Sequence, residues 1–130
     1  MRVAVLGLVM AGWAGAALAQ EVAVETGTIG DTKAVLHLHP FLTAEELATL
    51  RVVLSNKEAQ ALFIGAKKGF AAMAVNPDEG FIRGGKPVAS AVALAEFDTP
   101  EAASAAAITD CAAVAKSKTP CVVVLEVEAK

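Results

Sequence analysis

Tyrosine is absent from the 130 residues, and tryptophan occurs once, at Trp13. Recognition surfaces favour Trp and Tyr, and platforms that stack bases need exposed rings. The other aromatics are Phe41, Phe63, Phe70, Phe81 and Phe97, each in or beside an apolar run, which assigns them to the core. Positive charge is scarce too: 11 Lys and Arg face 14 Asp and Glu, for a net charge of −3. Nucleic acid needs a basic face and an anionic membrane surface attracts one, so neither is an expected partner. Two cysteines, Cys111 and Cys121, are too few for a metal-binding Cys cluster and too far apart for a CxxC redox motif.

One long apolar run exists, Val3 to Leu18, about 16 residues against the roughly 20 of a spanning helix. Arg2 precedes it and the small-x-small site Ala17-Leu18-Ala19 ends it. This is the pattern of a secretory signal peptide over residues 1–19, followed by one domain over 20–130. Its removal takes away Arg2 and Trp13 and leaves a net charge of −4. The expected location is periplasmic or secreted, with no stable membrane insertion after cleavage.

Within the domain, Val22 and Val24 alternate with polar neighbours, then Leu36 and Leu38 alternate with His37 and His39. Two short strands are expected, joined by a turn at Gly30-Asp31. Thr43 followed by Glu46 fits a capping box, and Ser55 followed by Glu58 fits a second, so Thr43 to Ile64 reads as two short helices. Phe70 to Val75 reads as a strand, Asn76-Pro77-Asp78-Glu79-Gly80 as a turn, and Phe81 to Arg83 as a segment that pairs back. Gly84-Gly85 is a second tight turn. Val88 to Phe97 reads as a strand that is central or covered on both sides.

Asp98-Thr99-Pro100-Glu101 opens an alanine-rich helix reaching about Ala115, and Cys121 to Val127 is the final strand. Cys111 shares a helix stripe with Ala107, Ile108 and Ala115. Regular alternation places Cys121 on one strand face with Val123, Leu125 and Val127. An even Cys count in an exported chain reads as a disulfide, the alternative being two buried thiols. The fold class is α+β: an antiparallel sheet of about five to six strands packed by about three helices, in the order ββ-αα-βββ-α-β.

The stretch from Gly69 to Val127 resembles small exported bacterial modules of unknown function. The likeness rests on Phe70-Ala71-Ala72-Met73-Ala74, Asn76-Pro77 to Gly80, and the pairing of a helix Cys with a strand Cys. With the block from Leu42-Thr43-Ala44-Glu45-Glu46-Leu47 to Phe63, it resembles a narrower group, some of which carry an automated name as a 5-aminolevulinate synthase. That chemistry needs a cofactor lysine in a deep pocket, a phosphate cradle and a partner for the pyridine nitrogen. A domain of about 111 residues has no room for them. The resemblance implies no catalytic residue and no cofactor.

Three motifs bear on chemistry. Gly80 to Lys86 matches a fragment of a phosphate-binding loop, but Pro87 stands where Ser or Thr should be, and a strand follows. His37 and His39 are spaced as two ligands of one metal, yet zinc needs more, and Glu45 or Glu46 is the nearest candidate. The competing reading is a pair of solvated histidines on an edge strand. Ser55, Ser90, Ser104 and Ser117 sit where caps, strands and helices use them, without a fixed His partner. The expected function is therefore that of a small exported, non-enzymatic domain of unknown role, which binds a protein partner or is associated with the envelope. Weak metal or small-ligand binding through His37 and His39 is the alternative, and a small hydrolase the second alternative.

Overall fold

The computed structural model describes residues 22–64 and 68–129, so the expected signal segment and its cleavage site lie outside the described residues. The chain runs through β1 (Val24–Ile29), β2 (Thr32–His37), α1 (Ala44–Ser55), α2 (Lys57–Phe63), β3 (Gly69–Val75), β4 (Ile82–Arg83), β5 (Lys86–Pro87), β6 (Val92–Phe97), α3 (Pro100–Val114) and β7 (Val122–Ala129). Five strands form one antiparallel sheet in the order β1-β2-β7-β3-β6, and β4 and β5 form a separate two-stranded hairpin. The fold is α+β, as expected.

Helices cover the two faces unequally. On one face α1 and α2 pack over Ala34, Leu36, Met73, Leu125 and Val127. On the other, α3 lies over Ala72, Ala74 and the disulfide, and the flanking Phe70, Val92 and Phe97 join it. The α3 stripe is Ala103, Ala107 and Cys111, one residue per turn, and its small side chains let the helix lie close to the sheet. Among the described residues, that leaves the β1-β2-β7 part of the second face without a helix. Val24, Thr26, Thr28, Lys33, Val35, His37, Glu126 and Glu128 share it by register.

Local signals behave as their chemistry requires, with two shifts by one residue. Thr43 and Glu46 form both halves of the capping box. The cap of α2 is Asn56, not Ser55, because the Asn56 side chain accepts from the Ala59 N–H. The cap of α3 is Thr99, not Asp98, because its hydroxyl accepts from the Ala102 N–H and Pro100 fills the first turn.

Four pairings differ from the expectation. Phe81 to Arg83 does not pair back onto β3: Ile82 and Arg83 pair with Pro87 and Lys86, and β3 takes β6 and β7 as neighbours. This adds one short strand to the expected order. β6 is an edge strand, not a central one, and its residues pack against both clusters, Val92 and Phe97 toward α3 and Ala93 and Ala95 on the α1 side. β2 lies between β1 and β7, so the histidines are not on an edge strand. Finally, Leu125 and Val127 do not share a face with Cys121. Met73 opposes Leu125 while Ala74 opposes Val123, so Val124 is an extra residue in β7. The bulge resets the alternation. Cys121 and Val123 face α3, whereas Val124, Leu125 and Val127 face α1.

Cys111 and Cys121 form a disulfide with Cα atoms 6.2 Å apart. No helix of the described residues is long and apolar enough to cross a membrane.

Candidate functional site

Glu46 is fully buried, yet it carries a carboxylate. Its Oε1 accepts from the Thr43 N–H at 2.9 Å, and its Oε2 accepts from the N–H groups of Phe81 at 2.7 Å and Ile82 at 3.0 Å. The Arg83 guanidinium adds two longer bonds of 3.3 Å, one to each oxygen. Burial pushes this carboxyl up, but bonds from Ile82, Thr43, Arg83 and Phe81 outweigh it and hold the pKa at about 2. A capping residue therefore doubles as the anchor that ties the β4–β5 hairpin to the start of α1. Sequence reasoning found the cap and missed the anchor, because the three donors lie 35 to 37 residues away.

A second clamp works from the turn before that hairpin. Asn76 donates to the Thr119 carbonyl at 2.8 Å. Asp78 accepts from the Ser117 and Thr119 hydroxyls, both at 2.6 Å. Glu79 accepts from the Ser90 hydroxyl at 2.6 Å and from the Lys116 and Ser117 N–H groups at 2.7 and 2.9 Å. The Ser117 and Thr119 hydroxyls lower the Asp78 pKa, and the Ser90 hydroxyl and the Ser117 N–H lower that of Glu79. The turn residues named from sequence thus fix the loop between α3 and β7.

Against the hairpin lies an apolar groove of about 560 Å³. Its floor is Met73 of β3 and Ala93 of β6, with Ala91 at the end. One wall is Leu62 and Phe63 of α2, and the other is Phe81, Ile82, Pro87 and Val88. Phe63 meets Phe81 edge to face at 6.2 Å, closing the inner end. Leu62 is 86% exposed at the lip, the most exposed of the large apolar side chains among the described residues. Glu45 is the one charged side chain in the lining among the described residues. The signal for this groove was faint in sequence: alanines at 91, 93 and 95 on alternate positions give β6 a flat face that bulky residues would fill.

His37 and His39 come together on the open sheet, ring centroids 6.2 Å apart. The His37 Nε2 lies 2.6 Å from the Glu126 carboxylate. The His39 Nε2 donates to the Val123 carbonyl at 3.0 Å, and its ring stacks on Phe41 at 5.4 Å. Burial pushes His39 below its usual range; the Val123 carbonyl acts the other way, and the nearby His37 adds to the lowering. The carboxylate beside His37 is Glu126, and Glu46, one of the two sequence candidates, is committed to Arg83 and the hairpin. Among the described residues, no group of three or more His, Cys, Asp or Glu is arranged to hold a metal ion. The Ser90 and Ser117 hydroxyls are bonded to Glu79 and Asp78, while the imidazoles are bonded to Glu126 and Val123. Serine hydroxyls and imidazoles thus serve separate networks. The Gly80 to Lys86 segment is the approach to, and turn of, the β4–β5 hairpin.

Comparison with family models, with curated proteins and with solved structures gives no match.

Proposed function

We propose that this is an exported, non-enzymatic binding domain that holds a protein partner in the groove between α2 and the β4–β5 hairpin. One observation carries the reading: an apolar groove of about 560 Å³ left open, with Leu62 standing 86% exposed at its lip. Exposed apolar surface concentrated at a concave site is what a binding surface costs a small domain in solubility. The hairpin wall supports a binding role because it is clamped twice. The Glu46 carboxylate fixes the hairpin and the Asp78–Glu79 turn fixes its approach, so little ordering is left for the moment of binding. Export is supported by the signal-like N-terminal run and by the disulfide, which persists in an oxidising compartment.

The test uses a photoreactive residue at Leu62 in the producing cell, compared with the same residue at Asp110 on exposed α3. Leu62 gives a discrete adduct with one partner, and Asp110 does not. Val88→Asp, which places a charge on the opposite wall, abolishes the Leu62 adduct while the protein stays folded. An equal adduct pattern at both positions, or one indifferent to Val88→Asp, rules the groove out.

A further inference from the structure

We infer that β1 is a self-association edge, through which two copies of the chain join their sheets in antiparallel register about a two-fold axis at Thr26. The inference concerns a surface remote from the groove and is independent of it. The main sheet ends in β1 on one side and β6 on the other. The two ends are built differently. In β6, Phe70 opposes Phe97 while Ala72 opposes Leu94, so an extra residue bulges the strand, and Glu96 sits there with φ at 70°. A bulge with a charged side chain is a common device against edge pairing. β1 has none of these devices. It pairs with β2 without interruption from Val24 to Ile29, and it contains no Pro, Lys or bulge. Its one charge, Glu25, points to the α1 face, where Arg51 holds it by two bonds of 3.0 and 2.9 Å. Among the described residues, no strand pairs with its outer side.

The register follows from parity and charge. Residues directly opposed across an antiparallel pair share a face, so a two-fold axis normal to the sheet must lie level with a residue, which then opposes its own mate, and not between two residues. Centred on Thr26, the pairing sets Thr26 against its symmetry mate, Val24 against Thr28 and Glu25 against Gly27. Like charges are nowhere opposed, and β-branched residues meet β-branched residues on the open face. Val24, 52% exposed in one copy, is covered. Centred on Gly27, the pairing would instead set Glu25 against Ile29. The occupant that fits this edge is a second copy, and the product is a ten-stranded sheet with the α1 helices on one side.

The native protein, purified after processing by the cell, is measured by light scattering and sedimentation from micromolar to submillimolar concentration. The mass rises to twice that of one chain. Thr26→Cys becomes covalently linked to its mate under mild oxidation, since the opposed β-carbons lie about 5 Å apart. Thr28→Cys does not, because four residue positions, about 13 Å along the strand, separate it from its mate. Thr26→Lys opposes two ammonium groups at the axis and weakens dimerisation roughly tenfold or more; Thr26 is exposed in the single chain, so its far-UV spectrum is unchanged. A monomer at every concentration overturns the inference. So does a dimer that survives Thr26→Lys and fails to link through Thr26→Cys.

Discussion

At the residue scale, Glu46 decides more than any other side chain. It caps α1, anchors the hairpin and pairs with Arg83 from a fully buried position. Removing one partner from a buried, hydrogen-bonded charge leaves the others unsatisfied. Glu46→Ala is expected to cost about 3–5 kcal/mol in urea unfolding. Arg83→Ala should cost about 1 kcal/mol, because the guanidinium is partly in water and gains less from the pair. The pH dependence follows from the same site. A carboxyl held at about 2 in the fold, against an ordinary 4.5, contributes on the order of 3 kcal/mol above pH 5. The sign is that of a depressed acid: the contribution is full above the unfolded value and is lost as pH falls from about 4.5 toward 2. Glu46→Gln should flatten that acid limb, and a wild-type stability unchanged between pH 5 and pH 2.5 would contradict the anchor.

At the element scale, the ends and bulges of the strands carry the specificity. β3 begins at Gly69 with φ at 78°, and a β-carbon there would lie 2.6 Å from the Phe97 carbonyl oxygen. That oxygen is backbone, held by the bulged end of β6, so it cannot swing away. Gly30, in the β1–β2 turn, has φ at 59° with open space around it. Alanine at Gly30 should cost about 1–2 kcal/mol from backbone conformation alone. Alanine at Gly69 pays the same conformational cost plus the collision, so Gly69→Ala should exceed Gly30→Ala by at least about 1 kcal/mol. Equal losses in parallel unfolding curves would show that the β3–β6 junction gives way.

At the scale of the whole molecule, the disulfide and the sheet do different work. Cys111 and Cys121 join α3 to the start of β7 across a short loop, ten positions apart. Closing a loop of that size restricts the unfolded chain by about 2.8 kcal/mol. Reduction should lower the unfolding free energy by about 2–4 kcal/mol while leaving the far-UV spectrum at low temperature as it was. The reason is that Leu125 and Val127 do not depend on the bond for burial. They lie on the opposite face, under α1. Loss of the folded spectrum on reduction would mean that the α1 face cannot hold the sheet alone.

What the sequence settled by itself is what neighbouring residues decide together. Thr43 and Glu46 are three apart and made the capping box. Pro100 marked the start of α3, and the spacing of Ala107 and Cys111 marked its buried stripe. The α+β class followed from two periodicities, and the disulfide from an even Cys count together with the expectation of export. Contacts between distant residues decided the rest. The bulge at Val124 reversed the faces of Leu125 and Val127, and alternation along one strand carries no sign of an extra residue that a neighbouring strand leaves unpaired. The edge position of β6 and the inner position of β2 are properties of the strand order, which local periodicity does not contain. Glu46 read as a cap because its first partner is local, while its second set of partners arrives only when the hairpin folds over α1. The groove belongs to the same class: α2, β3, β6 and the hairpin each supply a few ordinary apolar residues, and concavity exists only where long-range packing brings them together and leaves the space between them unfilled.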